Sequence, residues 1–187
     1  MSERLDIELV IRFLARSRSH AAQLIEQSRV LVNGKTASKP AQKIQLGDRI
    51  ELTAGPDFVS RAGQKLADAL EIFGIQPQGW CLDAGASTGG FTQVLLESGA
   101  SGVVAIDVGH DQLAQELRVD DRVVNLEGCN LRDLTPARLA ELTSRSFDFS
   151  LVVADLSFIS LTLVLKQLSD LAPDAPMVLL IKPQFEV

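Results

Sequence analysis

One stretch limits what this chain can fold into: Cys81-Leu82-Asp83-Ala84-Gly85-Ala86-Ser87-Thr88-Gly89-Gly90-Phe91. A short apolar run enters it and a helix-compatible run, Phe91 to Glu97, leaves it. Glycines among small residues let a strand turn sharply into a helix while its backbone stays open to a ligand. Around this turn the chain alternates apolar runs with helical patterns. The runs are Trp80–Ala84, Gly102–Asp107, Arg122–Leu126, Phe149–Ala154 and Met177–Ile181, with helices expected at Gly63–Phe73 and Leu161–Leu171. Buried runs of this kind imply an α/β fold, a Rossmann-like parallel sheet covered on both faces. The last run has nothing after it to cover the sheet edge, an arrangement native proteins avoid. A C-terminally incomplete domain is therefore expected, closing strands missing.

The turn is not a dinucleotide fingerprint, because GxGxxG spacing is absent and a carboxylate, Asp83, precedes the first glycine. A pyrophosphate disfavours that carboxylate; a cationic sulfonium and an amino group favour it. Asp107 follows Gly85 by 22 positions and closes the second strand, where such sheets place the acid that binds ribose hydroxyls. Alone the turn could be an ordinary corner. With Asp107 in register the pair points to S-adenosyl-L-methionine, bound by Asp83, Gly85 and Gly89 as well, with Ser87, Thr88 and Gly90 lining its methionine end. Asn130 stands where the adenine would lie, or simply forms a turn. Asp133, Ser157 and Ser160 read as caps. Asp155 and Lys182 end the fourth and fifth strands, the rim where ligands sit in open sheets.

The first fifty residues read differently. Asp6 is placed to cap one helix and Ser17 or Ser19 a second, and Asn33-Gly34 joins two short strands. The expected division is a small α+β domain at 1–53, a linker at 54–58 and the sheet domain at 59–187. Charge divides the same way. Residues 1–55 hold nine Lys and Arg against six Asp and Glu, a net of +3, while residues 56–187 hold nine against eighteen, a net of -9. A basic module on an acidic body suggests that the module meets a polyanion. Arg16-Ser17-Arg18-Ser19 sits at a helix start, where guanidinium groups and free N–H groups can share one phosphate.

Arg4-Leu5-Asp6, Leu14-Ala15-Arg16-Ser17-Arg18, Ala21-Ala22, Ile25 and Val30-Leu31-Val32-Asn33-Gly34-Lys35 resemble the S-four-type RNA-binding domain. The resemblance implies binding of structured RNA. Ser60-Arg61-Ala62-Gly63-Gln64-Lys65-Leu66, the glycine-rich stretch, Val152–Ser160 and Lys182-Pro183-Gln184-Phe185-Glu186 resemble the TlyA family. These are ribosomal RNA 2′-O-methyltransferases, sometimes labelled hemolysins, with an FtsJ-like methyltransferase domain. The resemblance implies catalysis by Lys65, Asp155 and Lys182, and RNA contacts from Arg4, Arg16, Arg18, Arg29, Lys35 and Arg61. The family's final catalytic Glu would lie beyond Val187, so weak or absent turnover is expected of this chain. Lys182 is the expected base, Asp155 its orienting partner and Lys65 the stabiliser of the alkoxide.

The expected partners are ribosomal RNA or ribosomal subunits. A metal is not expected, since Cys81, Cys129, His20 and His110 form no ligand spacing. The charged N-terminus lacks a signal peptide's apolar core, and the Leu151–Leu168 run is broken by Asp155 and Lys166. A cytoplasmic protein with two reduced, buried thiols is expected, and a membrane-active hemolysin is the disfavoured rival. A non-catalytic ribosome-assembly factor is the second rival. Base methylation is the third, and Asp155-Leu156-Ser157-Phe158 departs from the Asn/Asp-Pro-Pro-aromatic pattern of such enzymes.

Overall fold

A computed structural model describes residues 2–53 and 58–186. The chain divides into two compact units, Met1–Asp57 and Phe58–Val187. Apart from Phe58, the expected linker lies outside the described residues.

The first unit holds β1 (Ser2–Arg4), α1 (Leu5–Ile11), α2 (Arg18–Glu26), β2 (Val30–Val32), β3 (Lys35–Thr36), β4 (Lys43–Gln45) and β5 (Ile50–Leu52). β2 pairs antiparallel with both β3 and β5, while β1 pairs antiparallel with β4. Asn33 and Gly34 both take left-handed φ (51° and 77°), the tight hairpin turn that their dipeptide promises. Leu5, Leu9, Leu24, Ile25, Val30 and Ile44 fill the core at 0–1 % exposure.

Asp6 is not the cap of α1. The helix begins at Leu5, so Asp6 lies inside its first turn, and the N–H groups of Leu5 and Asp6 donate to Gln42 O and Pro40 O instead. Asp6 is 4 % exposed; Arg4 donates to both of its carboxylate oxygens, and two N–H groups of Arg18 converge on Oδ2. Ser17 caps α2 as expected, accepting from His20 N.

The second unit is a five-stranded parallel sheet. It uses β6 (Trp80–Ala84), β7 (Gly102–Ile106), β8 (Val123–Leu126), β9 (Phe149–Ala154) and β10 (Met177–Leu179), in the order β10-β9-β6-β7-β8. The helices are α3 (Arg61–Phe73), α4 (Gly90–Glu97), α5 (Gln115–Arg118), α6 (Pro136–Thr143) and α7 (Leu165–Leu171). Side chains alternate across the sheet. Leu82, Ala84, Val104, Ile106, Val152 and Ala154 pack with Leu139 of α6 and Leu168 of α7. Cys81, Val103, Leu151 and Val153 pack with Leu66 and Leu70 of α3 and Leu95 of α4. Both faces are thus dry, and the strands read as unbroken apolar runs.

Chain order reverses at β6, which lies between β7 and β9. Open α/β sheets bind ligands at the carboxyl ends of the strands flanking such a reversal.

Local departures have identifiable causes. The expected 161–171 helix breaks at Val164 into a 3₁₀ turn, Leu161–Leu163, and α7. Thr135, not Asp133, caps α6 by accepting from Arg138 N, with Pro136 in the first turn. Cys129 is half-buried and not fully enclosed.

Candidate active site

The glycine-rich turn begins where β6 ends. Gly85 N and Ala86 N both donate to Ile106 O, which ties the turn to the end of β7. Gly89 precedes α4 at φ 94°, and a Cβ there would lie 2.3 Å from Leu117 Cδ1. Only glycine meets both constraints.

Asp83 sits beneath this turn at 0 % exposure. Thr92 Oγ1 donates to its Oδ2 (2.6 Å), and its Oδ1 has no hydrogen-bond partner. Burial pushes its carboxyl up to about 7, against the Thr92 bond, with the negative charges of Asp155 and Asp107 adding to the rise. Asp107 follows β7, and its two oxygens accept from Ser87 N (2.8 Å) and Gly109 N (2.7 Å).

A cavity of about 450 Å³ opens at this point. Asp107, Ser87, Gln112 and Asn130 line its polar side, and Ile106, Leu131 and Val164 its apolar side. Asn130 both lines this cavity and forms a turn, since its side chain accepts from Arg132 N. A second cavity, of about 290 Å³, is lined by Ser60, Arg61, Thr88 and Lys182. Gly85, Ser87, Asp155 and Ser157 line both. Two compartments therefore meet across one carboxylate.

Lys182 holds that boundary. Its Nζ lies 2.6 Å from Asp155 Oδ1 and donates to Ser157 Oγ at 2.6 Å. The approach to Asp155 is an ion contact off the hydrogen-bonding direction, so Oδ1 keeps its acceptor capacity. The loop carrying Lys182 is fastened by Glu186, which accepts from Ser160 Oγ (2.6 Å) and Leu161 N (3.0 Å). These bonds hold the Glu186 carboxyl below the usual range. The rings of Phe158 and Phe185 add a contact at 5.4 Å. The loops after β9 and β10 are thus joined through Lys182, Phe185 and Glu186.

Asp107, Asp155, Lys182, Gly85, Ser87, Thr88 and Asn130 converge on the two cavities. Asp83, Gly89 and Gly90 shape the turn without lining either one. Lys65 is exposed, one helical turn beyond Arg61, and lines neither cavity. Arg61 is exposed at the smaller cavity. In the first unit Arg4 and Arg18 engage Asp6, Arg29 donates to Thr53 O (3.4 Å), and Arg16 and Lys35 are exposed. Sequence reasoning missed Gln112, which accepts from Ser87 Oγ (3.1 Å), and gave Ser157 only a capping role. No local pattern marks Gln112. Ser157 lies two residues after Asp155, but its bond to Lys182 spans two loops.

The sequence matches the FtsJ-like methyltransferase family over residues 58–187 and the S4 domain over residues 3–50. It is 53 % identical over 190 residues to the 16S/23S rRNA (cytidine-2′-O)-methyltransferase TlyA of Mycobacterium tuberculosis, covering 98 % of this chain and 68 % of that protein. The chain belongs to the TlyA family of FtsJ-like methyltransferases. Hemolysin A of Brachyspira hyodysenteriae is 44 % identical over 91 % of this chain and 70 % of its own length. A solved structure from Streptococcus thermophilus that carries a hemolysin name superposes with a TM-score of 0.68 at 38 % identity, covering all of this chain and 68 % of that one.

An FtsJ-like methyltransferase needs a methyl donor, and the larger cavity fits a nucleoside-bearing cation. A carboxylate has about four lone-pair sites, so Asp107 retains acceptors for a diol after its two backbone bonds. The apolar wall suits a base, and the volume lies in the range of small-molecule pockets. Asp83 Oδ1 has no partner, and among the described residues Asp83 and Asp107 carry no cationic neighbour of the kind Lys182 gives Asp155, so a further cation would find charge to offset beside them.

Proposed function

We propose that this chain is a ribosomal RNA 2′-O-methyltransferase using S-adenosyl-L-methionine, with an RNA-binding domain at 1–53 and a catalytic domain at 59–187. The observation that carries this reading is the Asp155–Lys182 pair at the boundary of two abutting cavities. When bound, the donor supplies an electrophilic methyl group on a sulfonium. Asp107 would bind its ribose hydroxyls, Asn130 would border its base, and Gly85, Ser87 and Thr88 would border its methionine end; Asp83, Gly89 and Gly90 keep the turn in shape.

A ribose hydroxyl of the RNA enters the smaller cavity beside Lys182. Positioning in line with the departing group supplies much of the rate. Lys182 in its neutral form accepts the hydroxyl proton, and Asp155 stabilises the ammonium that results. Ser157 fixes the direction of Nζ. Lys65, a long cation one turn from the cavity, stabilises the developing alkoxide. Arg61 holds RNA at the cavity mouth, and Arg4, Arg16, Arg18, Arg29 and Lys35 bind phosphates elsewhere on the substrate. A substrate of this kind places the protein in the cytoplasm with ribosomes.

Among the described residues, no helix is long and apolar enough to cross a membrane.

The test is tritium transfer from labelled S-adenosylmethionine to ribosomal subunits, followed by alkaline hydrolysis. Label in alkali-resistant dinucleotides is expected; label on bases alone would refute the sugar assignment. Lys182→Ala is expected to lower the rate about a hundredfold or more while donor binding persists.

A further inference from the structure

Phe13 is the most exposed large apolar side chain of the first unit, at 95 %. It follows α1, whose end is closed by two bonds: Leu14 N to Leu9 O (2.8 Å) and Phe13 N to Val10 O (3.1 Å). That pairing is the Schellman ending, in which one residue takes left-handed backbone and glycine is the usual occupant. Here the occupant is Phe13, at φ 58°. A bulky side chain is disfavoured in that region. The apolar contact that accompanies such an ending falls to the Leu9 and Leu14 positions. The unit thus carries a strained backbone residue whose ring contributes almost nothing to its own core.

The chain on either side of that ring is rich in arginine, with Arg12 paired to Glu8 and Arg18 to Asp6. Three residues after Phe13 lies exposed Arg16, then Ser17 at the start of α2, then Arg18 with 61 % of its side chain exposed. Three residues span at most about 11 Å of chain, so the backbone of Phe13 lies within that reach of Arg16 and the start of α2. Exposed Ile11 and Leu46 would also suit a protein partner. The +3 charge of residues 1–55 and the match to the S4 domain favour a polyanion with flat apolar groups.

We propose that Phe13 is a stacking platform for an unpaired base of the bound RNA, with the adjoining phosphate at Arg16 and the first turn of α2. This rests on the RNA-binding reading above and adds to it the recognition of an unstacked base. The strain at Phe13 then has a cause outside the fold: the ring is displayed for a ligand.

The test compares two labelled RNAs by fluorescence anisotropy at fixed salt: a stem–loop with unpaired purines, and the same stem as an uninterrupted duplex. The unaltered chain is expected to prefer the stem–loop. Phe13→Gly is expected to weaken stem–loop binding about fivefold to a hundredfold, leave duplex binding unchanged, and keep or raise the melting temperature. It removes no phosphate contact, so the slope of log affinity against log salt stays the same, whereas Arg16→Gln lowers that slope by about one. Phe13→Trp should retain stem–loop affinity. Unchanged stem–loop binding by Phe13→Gly overturns the proposal, as does equal weakening for both RNAs. A loss seen only with protein-containing ribosomal particles also overturns it, in favour of a protein contact. If the unaltered chain binds neither RNA, the RNA-binding reading fails and the proposal with it.

Discussion

At the scale of single residues, Asp6 shows how a charge can be enclosed and still stabilise. Its carboxyl is held down at about 2, first by the Arg4 bond, then by Arg18, against the cost of burial. A carboxyl lowered from its unfolded value contributes stability that is complete above about 4 and is lost as pH falls through about 2. Asp6→Asn should therefore destabilise the first unit at pH 7 by on the order of 2 kcal/mol. The deficit should shrink toward zero near pH 2. Denaturant melts of both proteins across that window measure it, and a deficit independent of pH would show that packing, not charge, is what Asp6 supplies. The same pair of bonds draws on Arg4 and Arg18, so two of the cations assigned to RNA also hold their own fold together.

At the scale of elements, α3 and α4 touch through glycines. A Cβ on Gly90 would lie 2.2 Å from Ser60 Oγ and 2.9 Å from Gly63 N. Backbone cannot yield as a flexible side chain can, so Gly90→Ala should cost about 1–3 kcal/mol, read from the denaturation midpoint. Gly90 also opens α4 behind the turn, so donor affinity should fall with it. A variant as stable as the parent would show that the helices separate freely. These elements were legible in the sequence because each is a long, uniform signal. The apolar runs at Trp80, Gly102 and Phe149 could only be buried strands, and their acidic ends pointed to the rim. β1 and β4 were not legible, since Ser2-Glu3-Arg4 is polar and its pairing spans forty residues. α6 was passed over for its short, mixed pattern. In the site, Asp107 and Asp155 announced themselves as strand ends; Lys182 was read the same way, but β10 stops at Leu179 and Lys182 stands three residues beyond it, before a 3₁₀ turn opened by Pro183. Gln112 and the Lys182–Ser157 bond depend on how loops fold back, which no local pattern encodes. Lys65 rested on resemblance alone, and it is the one catalytic assignment outside both cavities.

At the scale of the whole molecule, charge and sheet topology converge on one point. Asp83, Asp107 and Asp155 sit at the carboxyl ends of three neighbouring strands, β6, β7 and β9. Asp83, the enclosed member, is poised near neutrality by burial and by the other two. A carboxyl raised in this way favours the folded chain below its unfolded value near 4 and loses that advantage as pH climbs through about 7. A cation settling among the three reverses part of that balance. The chain should then shed a fraction of a proton for every donor bound at pH 7, and almost none at pH 9. Calorimetry would register this as an uptake heat that differs between phosphate and Tris solutions at the lower pH and converges at the higher one. Asp83→Asn should remove the difference. If the unaltered chain gave the same heat in both solutions at pH 7, Asp83 would not be exchanging its proton with the bound cation.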